Sequence, residues 1–155
     1  MAMALMVAIA AKNARAEGDP APDTLPPQVS IADEALLRQM FASHTMYGFY
    51  PPPYAGKWAE YYCPTGRTAF VYEDKLMEGR WWVEAGAVCF SYDPPGHDQK
   101  QCYDVMRTET KVLKLHARVV GSSDFVDDVV IEDILPGDPF HMAKLIGAGC
   151  SDLSS

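Results

Sequence analysis

Four cysteines, Cys63, Cys89, Cys102 and Cys150, are the residues of this 155-residue chain whose type and number point most directly to chemistry. A zinc site usually takes at least two ligands from one short C-x2-4-C pair, but no two of these cysteines are closer than 13 positions. An even number of cysteines is typical of a disulfide framework in an exported chain. We therefore predict disulfides and no metal site. Cys89 is best joined to Cys102, which leaves Cys63 for Cys150, although other pairings are formally possible.

Residues 45–62 are the second candidate for function, because they carry more aromatic side chains than one strand face can bury. Aromatic rings with polar tips suit a surface that is half apolar and half wet, such as a ligand mouth or a protein contact. Packing around the rim of a small barrel accounts for the same rings equally well. The candidate binding residues are Tyr47, Tyr50, Tyr54, Trp58 and Tyr62.

The remaining reactive side chains show no catalytic pattern. The acids from Asp124 to Asp133 lack a D-x-D-x-D-G calcium loop, and those from Glu73 to Glu84 have no fixed separation that would mark a glycosidase pair. The four histidines occur singly, and Ser122 stands in a turn rather than in a G-x-S-x-G elbow. We therefore predict no catalytic residue, no metal ligand and no cofactor.

The first sixteen residues differ in composition from the rest of the chain. Residues 2–11 form an apolar run about as long as a signal-peptide core, and Ala14 and Ala16 form an A-x-A cleavage pattern. The run is well short of the roughly 20 residues that a membrane-spanning helix needs. We therefore expect residues 1–16 to be a signal peptide, cleavage before Glu17, and a periplasmic or secreted protein.

The charge of the chain excludes some partners. Its formal charge is −8, and removal of Lys12 and Arg15 with the signal peptide makes it −10. Such a surface repels phosphate backbones and anionic lipid. We expect no nucleic-acid partner and no stable membrane span.

One helix should precede the strands. Residues 17–28 are rich in proline and predict a flexible lead-in to a single β-domain over residues 29–150. Ser30 and Asp33 form an S-x-x-D capping pattern before a short amphipathic helix at residues 32–42. The apolar face of this helix would hold Ile31, Leu36, Leu37, Met40 and Phe41.

The rest of the chain has short runs rich in Tyr, Trp, Phe and Val between turn signals, which indicate antiparallel strands. The β-branched residues near Val129 favour a strand over a helix for the last run. The predicted strands are residues 45–50, 57–63, 67–72, 79–84, 87–92, 101–108, 111–120 and 127–135, followed by a turn at 136–139 and a short Gly-rich tail. The predicted fold is mainly β, an antiparallel β-meander that forms a small closed or nearly closed barrel with one short N-terminal amphipathic helix.

The position of Cys89 opposite Cys102 would also sort the side chains of this hairpin. In that register Val88, Phe90 and Tyr92 share one face with Tyr103 and Val105, and the cysteines lie on the other. The aromatic residues of the hairpin then belong to the core, and the bond would stabilise the domain by about 3 kcal/mol.

Several short motifs are spread along residues 36–140. They are Gly79 and Trp81, Val88-Cys89-Phe90, Cys102-Tyr103, Pro64-Thr65-Gly66 and Pro136-Gly137-Asp138-Pro139. In these motifs the chain resembles a group of small secreted bacterial proteins of uncharacterised function. The resemblance implies a lipocalin-like half-barrel and an exported location, but no reaction.

The leading functional hypothesis is a non-enzymatic, disulfide-stabilised exported domain that binds a small apolar ligand in the barrel mouth or an envelope protein. The aromatic residues of 45–62 would carry that binding. An envelope hydrolase with paired carboxylates is the first alternative, and a structural accessory subunit of an envelope complex is the second.

Overall fold

The computed structural model describes residues 28–92, 100–108, 113–119 and 126–150. These residues form nine strands, one α-helix and one 3-10 helix. In chain order they are β1 Val29–Ile31, α1 Glu34–Phe41, β2 His44–Phe49, β3 Lys57–Tyr62, β4 Arg67–Tyr72, β5 Lys75–Glu84, β6 Ala87–Tyr92, β7 Gln101–Arg107, β8 Leu113–Ala117, β9 Asp128–Pro136 and the 3-10 helix Met142–Cys150. The predicted signal peptide lies outside the described residues, as does the lead-in up to residue 27.

Strands β2 to β9 form a closed eight-stranded barrel. Each strand pairs antiparallel with the next, and β9 returns to pair with β2. Closure pairs each of these strands on both sides over at least part of its length. The short strand β1 extends the sheet, because it pairs with Val105, Met106 and Arg107 of β7, beyond the part of β7 that pairs with β6. The predicted mainly β meander and barrel are confirmed.

Alternation along the strands sorts side chains between the interior and the outer surface. In β3, Trp58, Glu60 and Tyr62 point inward, while Ala59 and Tyr61 face outward. The interior is packed with aromatic and branched apolar side chains, as expected for a small barrel. The barrel therefore has a filled core.

Helix α1 covers one end of this barrel. Leu37 and Phe41 are fully buried, and the Phe41 ring lies 5.0 Å from Tyr62 and 6.1 Å from Trp81 between ring centroids. The cap of the helix differs from our prediction, because Asp33 accepts a hydrogen bond from the Leu36 N–H at 3.0 Å and Ser30 belongs to β1. An Asx cap directly before the first turn thus replaces the predicted Ser30 pattern.

Two disulfide bonds tie the fold together. Cys89 and Cys102 are directly opposite in β6 and β7, in the predicted register. Cys63, just after β3, is bonded to Cys150 at the end of the 3-10 helix. The domain is therefore a disulfide-stabilised β-domain, and covalent sulfur chemistry of this kind fits an oxidising environment.

The predicted Gly-rich tail is instead a helix that packs on the outside of the barrel. Met142 and Ile146 are buried against Tyr61 and Ala69 on the outer face of β3 and β4. The Asp138 carboxylate accepts hydrogen bonds from the first two N–H groups of the helix, at 2.8 and 2.7 Å. Capping and apolar burial thus stabilise a helix in a segment for which the sequence predicted only a short Gly-rich tail.

Strand β5 begins four residues earlier than predicted. It starts at Lys75, because β4 and β5 are joined by a two-residue turn in which Glu73 and Asp74 have positive φ values of 46° and 63°. Turns of this type favour Asn-Gly or Asp-Gly, so Glu-Asp gave no signal in the sequence. Among the described residues, no helix has the length and apolar character needed to cross a membrane.

Candidate functional site

A carboxyl group lies inside the barrel at Glu60 of β3. Its side chain is 3% exposed and is the single charged group among the buried residues that the structure describes. Three hydroxyl groups lie within hydrogen-bond distance: Tyr62 at 2.9 Å, Thr68 at 2.6 Å and Tyr92 at 2.9 Å. Within the described ranges, no Lys, Arg or His forms an ion pair with it. The carboxyl group is therefore held by neutral donors from three strands.

The surroundings of Glu60 favour its protonated form. Burial raises the pKa of the carboxyl to about 7, against the lowering effect of the hydrogen bonds from Thr68, Tyr92 and Tyr62. The Thr68 hydroxyl has one proton but lies 2.6 Å from Glu60 Oε1 and 2.9 Å from the carbonyl oxygen of Tyr61. Both contacts are satisfied at once when protonated Glu60 donates to Thr68 and Thr68 donates to Tyr61.

Tyrosine hydroxyls surround this carboxyl group. Burial raises the pKa of Tyr50, Tyr62, Tyr92 and Tyr103, and the nearby Glu60 charge raises the pKa of each further. These phenols therefore stay protonated, and those of Tyr62 and Tyr92 donate to Glu60. The Tyr103 hydroxyl donates to the carbonyl oxygen of Val126 at 3.0 Å.

Aromatic rings fill the end of the barrel opposite α1. We call this group, which consists of Tyr50, Trp58, Phe70, Tyr72 and Tyr92, the mouth cluster. The Tyr50 centroid lies 6.4 Å from Trp58 and 5.3 Å from Tyr72, and Phe70 lies 6.5 Å from Trp58 and 5.5 Å from Tyr92. Trp58 and Phe70 are buried, whereas the three tyrosines are half-buried. The mouth cluster thus presents aromatic edges to solvent above a buried floor.

Trp58 contains an unsatisfied donor. Its indole Nε1 is buried and has no hydrogen-bond partner among the described residues. The other two tryptophans are satisfied, because Trp81 Nε1 donates to the carbonyl oxygen of Cys63 at 2.8 Å and Trp82 Nε1 donates to Glu84 at 2.8 Å on the outer surface. An unpaired buried N–H costs about 1–3 kcal/mol, so it needs an explanation.

The structure divides the predicted binding residues between two surfaces. Tyr50, Trp58 and Tyr62 contribute to the interior, where Tyr62 lies nearer α1 than the mouth cluster. Tyr47 lies on the outer face of β2, with its hydroxyl 3.5 Å from Asp133. Tyr54 is 54% exposed in the loop between β2 and β3. The aromatic segment is therefore not one continuous surface.

A separate open groove with a volume of about 450 Å³ lies on the outer face of β2, β3 and β4. Gly48, Gly56 and Ala59 leave room for it, and Tyr47 and Phe140 provide aromatic walls. The charged residues that border it are Lys57, Glu73, Asp74 and Glu132. Glu60 does not line this groove, and Trp58 is the one residue of the mouth cluster that does.

Several of the acids and one histidine noted in the sequence form ion pairs on the outer surface. Glu78 is paired with Arg67 at 2.7 Å, Glu84 with Lys100, and Asp128 with His116 at 2.8 Å. Residues 28–92, 100–108, 113–119 and 126–150 contain no group of three or more His, Cys, Asp or Glu that converges on a possible metal position. Ser122, Ser123, Asp124 and His97 lie outside the described residues.

Glu60 is the site residue that our sequence reasoning missed. The signal was present, because Glu60 has the same parity as Trp58 and Tyr62 in β3 and must therefore face the same side as these rings. An acid at an apolar-facing position of a strand points to a buried polar network.

The chain matches no protein-family model, no curated protein and no solved structure. Its resemblance to small secreted bacterial proteins stays a prediction.

Proposed function

We propose that this protein is an exported, non-enzymatic binding protein that holds a small apolar molecule at the mouth cluster. The observation that carries this proposal is the combination of half-buried tyrosines with a buried Trp58 whose N–H lacks a partner. Ligand sites in proteins are mostly apolar and aromatic, with a few polar groups that fix orientation. Tyr50, which contacts both Trp58 and Tyr72, would be the residue that a ligand meets first.

The single buried carboxyl among the described residues favours binding over two-carboxylate hydrolysis. A two-carboxylate hydrolase needs an acid and a base or nucleophile within about 10 Å of each other across the scissile bond. Glu60 has no second buried carboxyl beside it in the part of the chain that the structure describes. The tyrosine hydroxyls around it are held protonated and do not replace a second carboxylate.

A fluorescence titration with N-phenylnaphthylamine, a neutral apolar dye, tests this proposal on the purified protein. We expect saturable binding, and we expect Tyr50→Ala to weaken it at least about tenfold, which corresponds to the loss of a central aromatic contact. Phe49→Ala is the matched control, because Phe49 is the neighbouring aromatic residue and is exposed on the outer face. Equal affinity of the wild type and Tyr50→Ala, or no binding at all, would contradict the proposal.

Export is the second part of the proposal, and two disulfides support it. Mass spectrometry of the protein recovered from the periplasm or medium should find an N-terminus at Glu17. A thiol assay under denaturing, non-reducing conditions should find no free thiol. Four free thiols in protein from its native compartment would contradict this location.

An envelope protein is the second candidate partner, and the outer groove favours it. Phe140 is 52% exposed at the edge of this groove, and exposed aromatic residues are enriched where proteins meet. Phe140→Ser should abolish a crosslink between the exported protein and its partner while dye binding persists. An unchanged crosslinking pattern would remove this candidate.

A further inference from the structure

The unpaired N–H of Trp58 defines what a ligand of the mouth cluster must provide. Trp58 is 4% exposed, so bulk water does not reach most of its ring. Tyr50 and Phe70 lie against that ring at interplanar angles of 30° and 28°, and they leave the N–H edge as the part without a partner. An acceptor that reaches this edge would relieve the cost of a buried, unsatisfied donor.

Glu60, which lies on the same face of β3 as Trp58, limits the charge that this acceptor can carry. Trp58 and Glu60 are two residues apart in β3, so their α-carbons are about 7 Å apart on the inner face. A carboxylate ligand at Trp58 would lose its hydration at a buried site, and any ionised fraction of Glu60 would repel it, in a chain of formal charge −8. An ammonium group has no lone pair to accept from Trp58, and it would find Glu60 already bonded to Thr68, Tyr62 and Tyr92. A neutral acceptor avoids both difficulties.

We propose that the mouth cluster binds a neutral aromatic or polycyclic carbonyl compound whose oxygen accepts a hydrogen bond from Trp58 Nε1. This inference rests on the proposed function and narrows it to a class of ligand. The apolar body of the ligand contacts the half-buried rings of Tyr50, Tyr72 and Tyr92. The carbonyl group gives the contact its orientation.

The test compares three probes of similar shape by calorimetric titration of the full chain. Acetonaphthone carries a carbonyl acceptor, ethylnaphthalene has the same outline without an acceptor, and naphthoate is an anion. We expect acetonaphthone to bind at least about tenfold more tightly than ethylnaphthalene, because pairing a buried donor is worth about 1–3 kcal/mol. Naphthoate should bind more weakly than acetonaphthone.

Substitutions at two tryptophans identify the source of the preference. Trp58→Phe removes the N–H and keeps an aromatic ring. This variant should therefore bind acetonaphthone and ethylnaphthalene with about equal affinity. Trp82→Phe is the matched control, because its indole donates to Glu84 on the outer surface. This control should retain the full preference.

The outcomes separate this inference from the proposed function. If no probe binds, both are overturned. If acetonaphthone and ethylnaphthalene bind equally to the wild type, or if the preference survives in Trp58→Phe, the mouth binds apolar molecules and the carbonyl class is overturned. Tighter binding of naphthoate overturns the neutral class. If Trp58→Phe fails to fold, the ratio of the two probe affinities in the wild type decides, together with the NMR chemical shift of the Trp58 indole N–H. That shift must change when acetonaphthone binds and must not change when ethylnaphthalene binds.

Discussion

Replacement of Glu60 by glutamine should change how the stability of the protein depends on pH. Glutamine keeps the size of the side chain and its acceptor oxygen but cannot ionise. In the wild type, the folded protein holds the carboxyl pKa at about 7, above its ordinary value of 4.5. The substitution therefore removes one titration from the folding equilibrium and leaves the barrel otherwise intact.

The direction and size of the effect follow from the two pKa values. Below pH 4.5 the carboxyl is protonated in both the folded and the unfolded chain, and its full contribution to stability is present. As the pH rises to about 7, the unfolded chain ionises first, so the folded state loses stability. At about 1.4 kcal/mol for each pKa unit, the loss is about 3 kcal/mol, and the curve is flat above pH 7.

Urea denaturation from about pH 4 to about pH 8 measures this effect as the difference in unfolding free energy between Glu60→Gln and the wild type. The variant should gain about 3 kcal/mol relative to the wild type over that range. Glu132→Gln, which removes an exposed acid, controls for the loss of one charge. A difference that does not vary with pH, or that varies in the opposite direction, would refute the reasoning, because it would show that the three hydroxyl donors outweigh burial.

Three other substitutions test the packing. Replacing both Cys89 and Cys102 by serine should lower the unfolding free energy by about 3 kcal/mol, because the bond closes a short loop in the unfolded chain; an unchanged urea midpoint would contradict this. Gly48→Ala should cost about 1–3 kcal/mol in a thermal melt, because its Cβ would overlap a backbone carbonyl oxygen of β9, and a wild-type melting temperature would show that β9 can move away. Trp81→Phe should cost about 1 kcal/mol more than Trp58→Phe, because it alone removes a buried hydrogen bond, from Nε1 to the carbonyl oxygen of Cys63, which keeps the Gly66 N–H as a donor; equal costs would argue against the unpaired state of Trp58.

The strands and their pairing could be predicted because they depend on local patterns. Arg67–Tyr72 and Ala87–Tyr92 have the predicted bounds, since Gly-containing turns mark where these strands begin or end. The predicted register placed Cys89 opposite Cys102, and it agreed with the alternation that makes one face of the hairpin apolar. Period-two alternation with turn signals is enough for these elements.

Elements that depend on distant partners could not be predicted. Strand β1 has three residues and exists because β7 offers it a free edge beyond β6. The 3-10 helix needs the outer face of β3 and β4, which supplies Tyr61 and Ala69 as a surface for Met142. Glu60 belongs to the same class, because its hydroxyl donors come from β3, β4 and β6, and no local pattern brings them together.

The bond between Cys63 and Cys150 turns the intervening chain into a covalent ring. Strands β4 to β9 belong to this ring, whereas β1, α1, β2 and β3 precede it. Tension applied between residues 28 and 150 therefore passes from one sulfur to the other and never loads the ring. When the oxidised molecule is pulled at residues 28 and 150, only the segment before Cys63 lengthens, and a reducing agent then releases a loop whose ends are 87 positions apart.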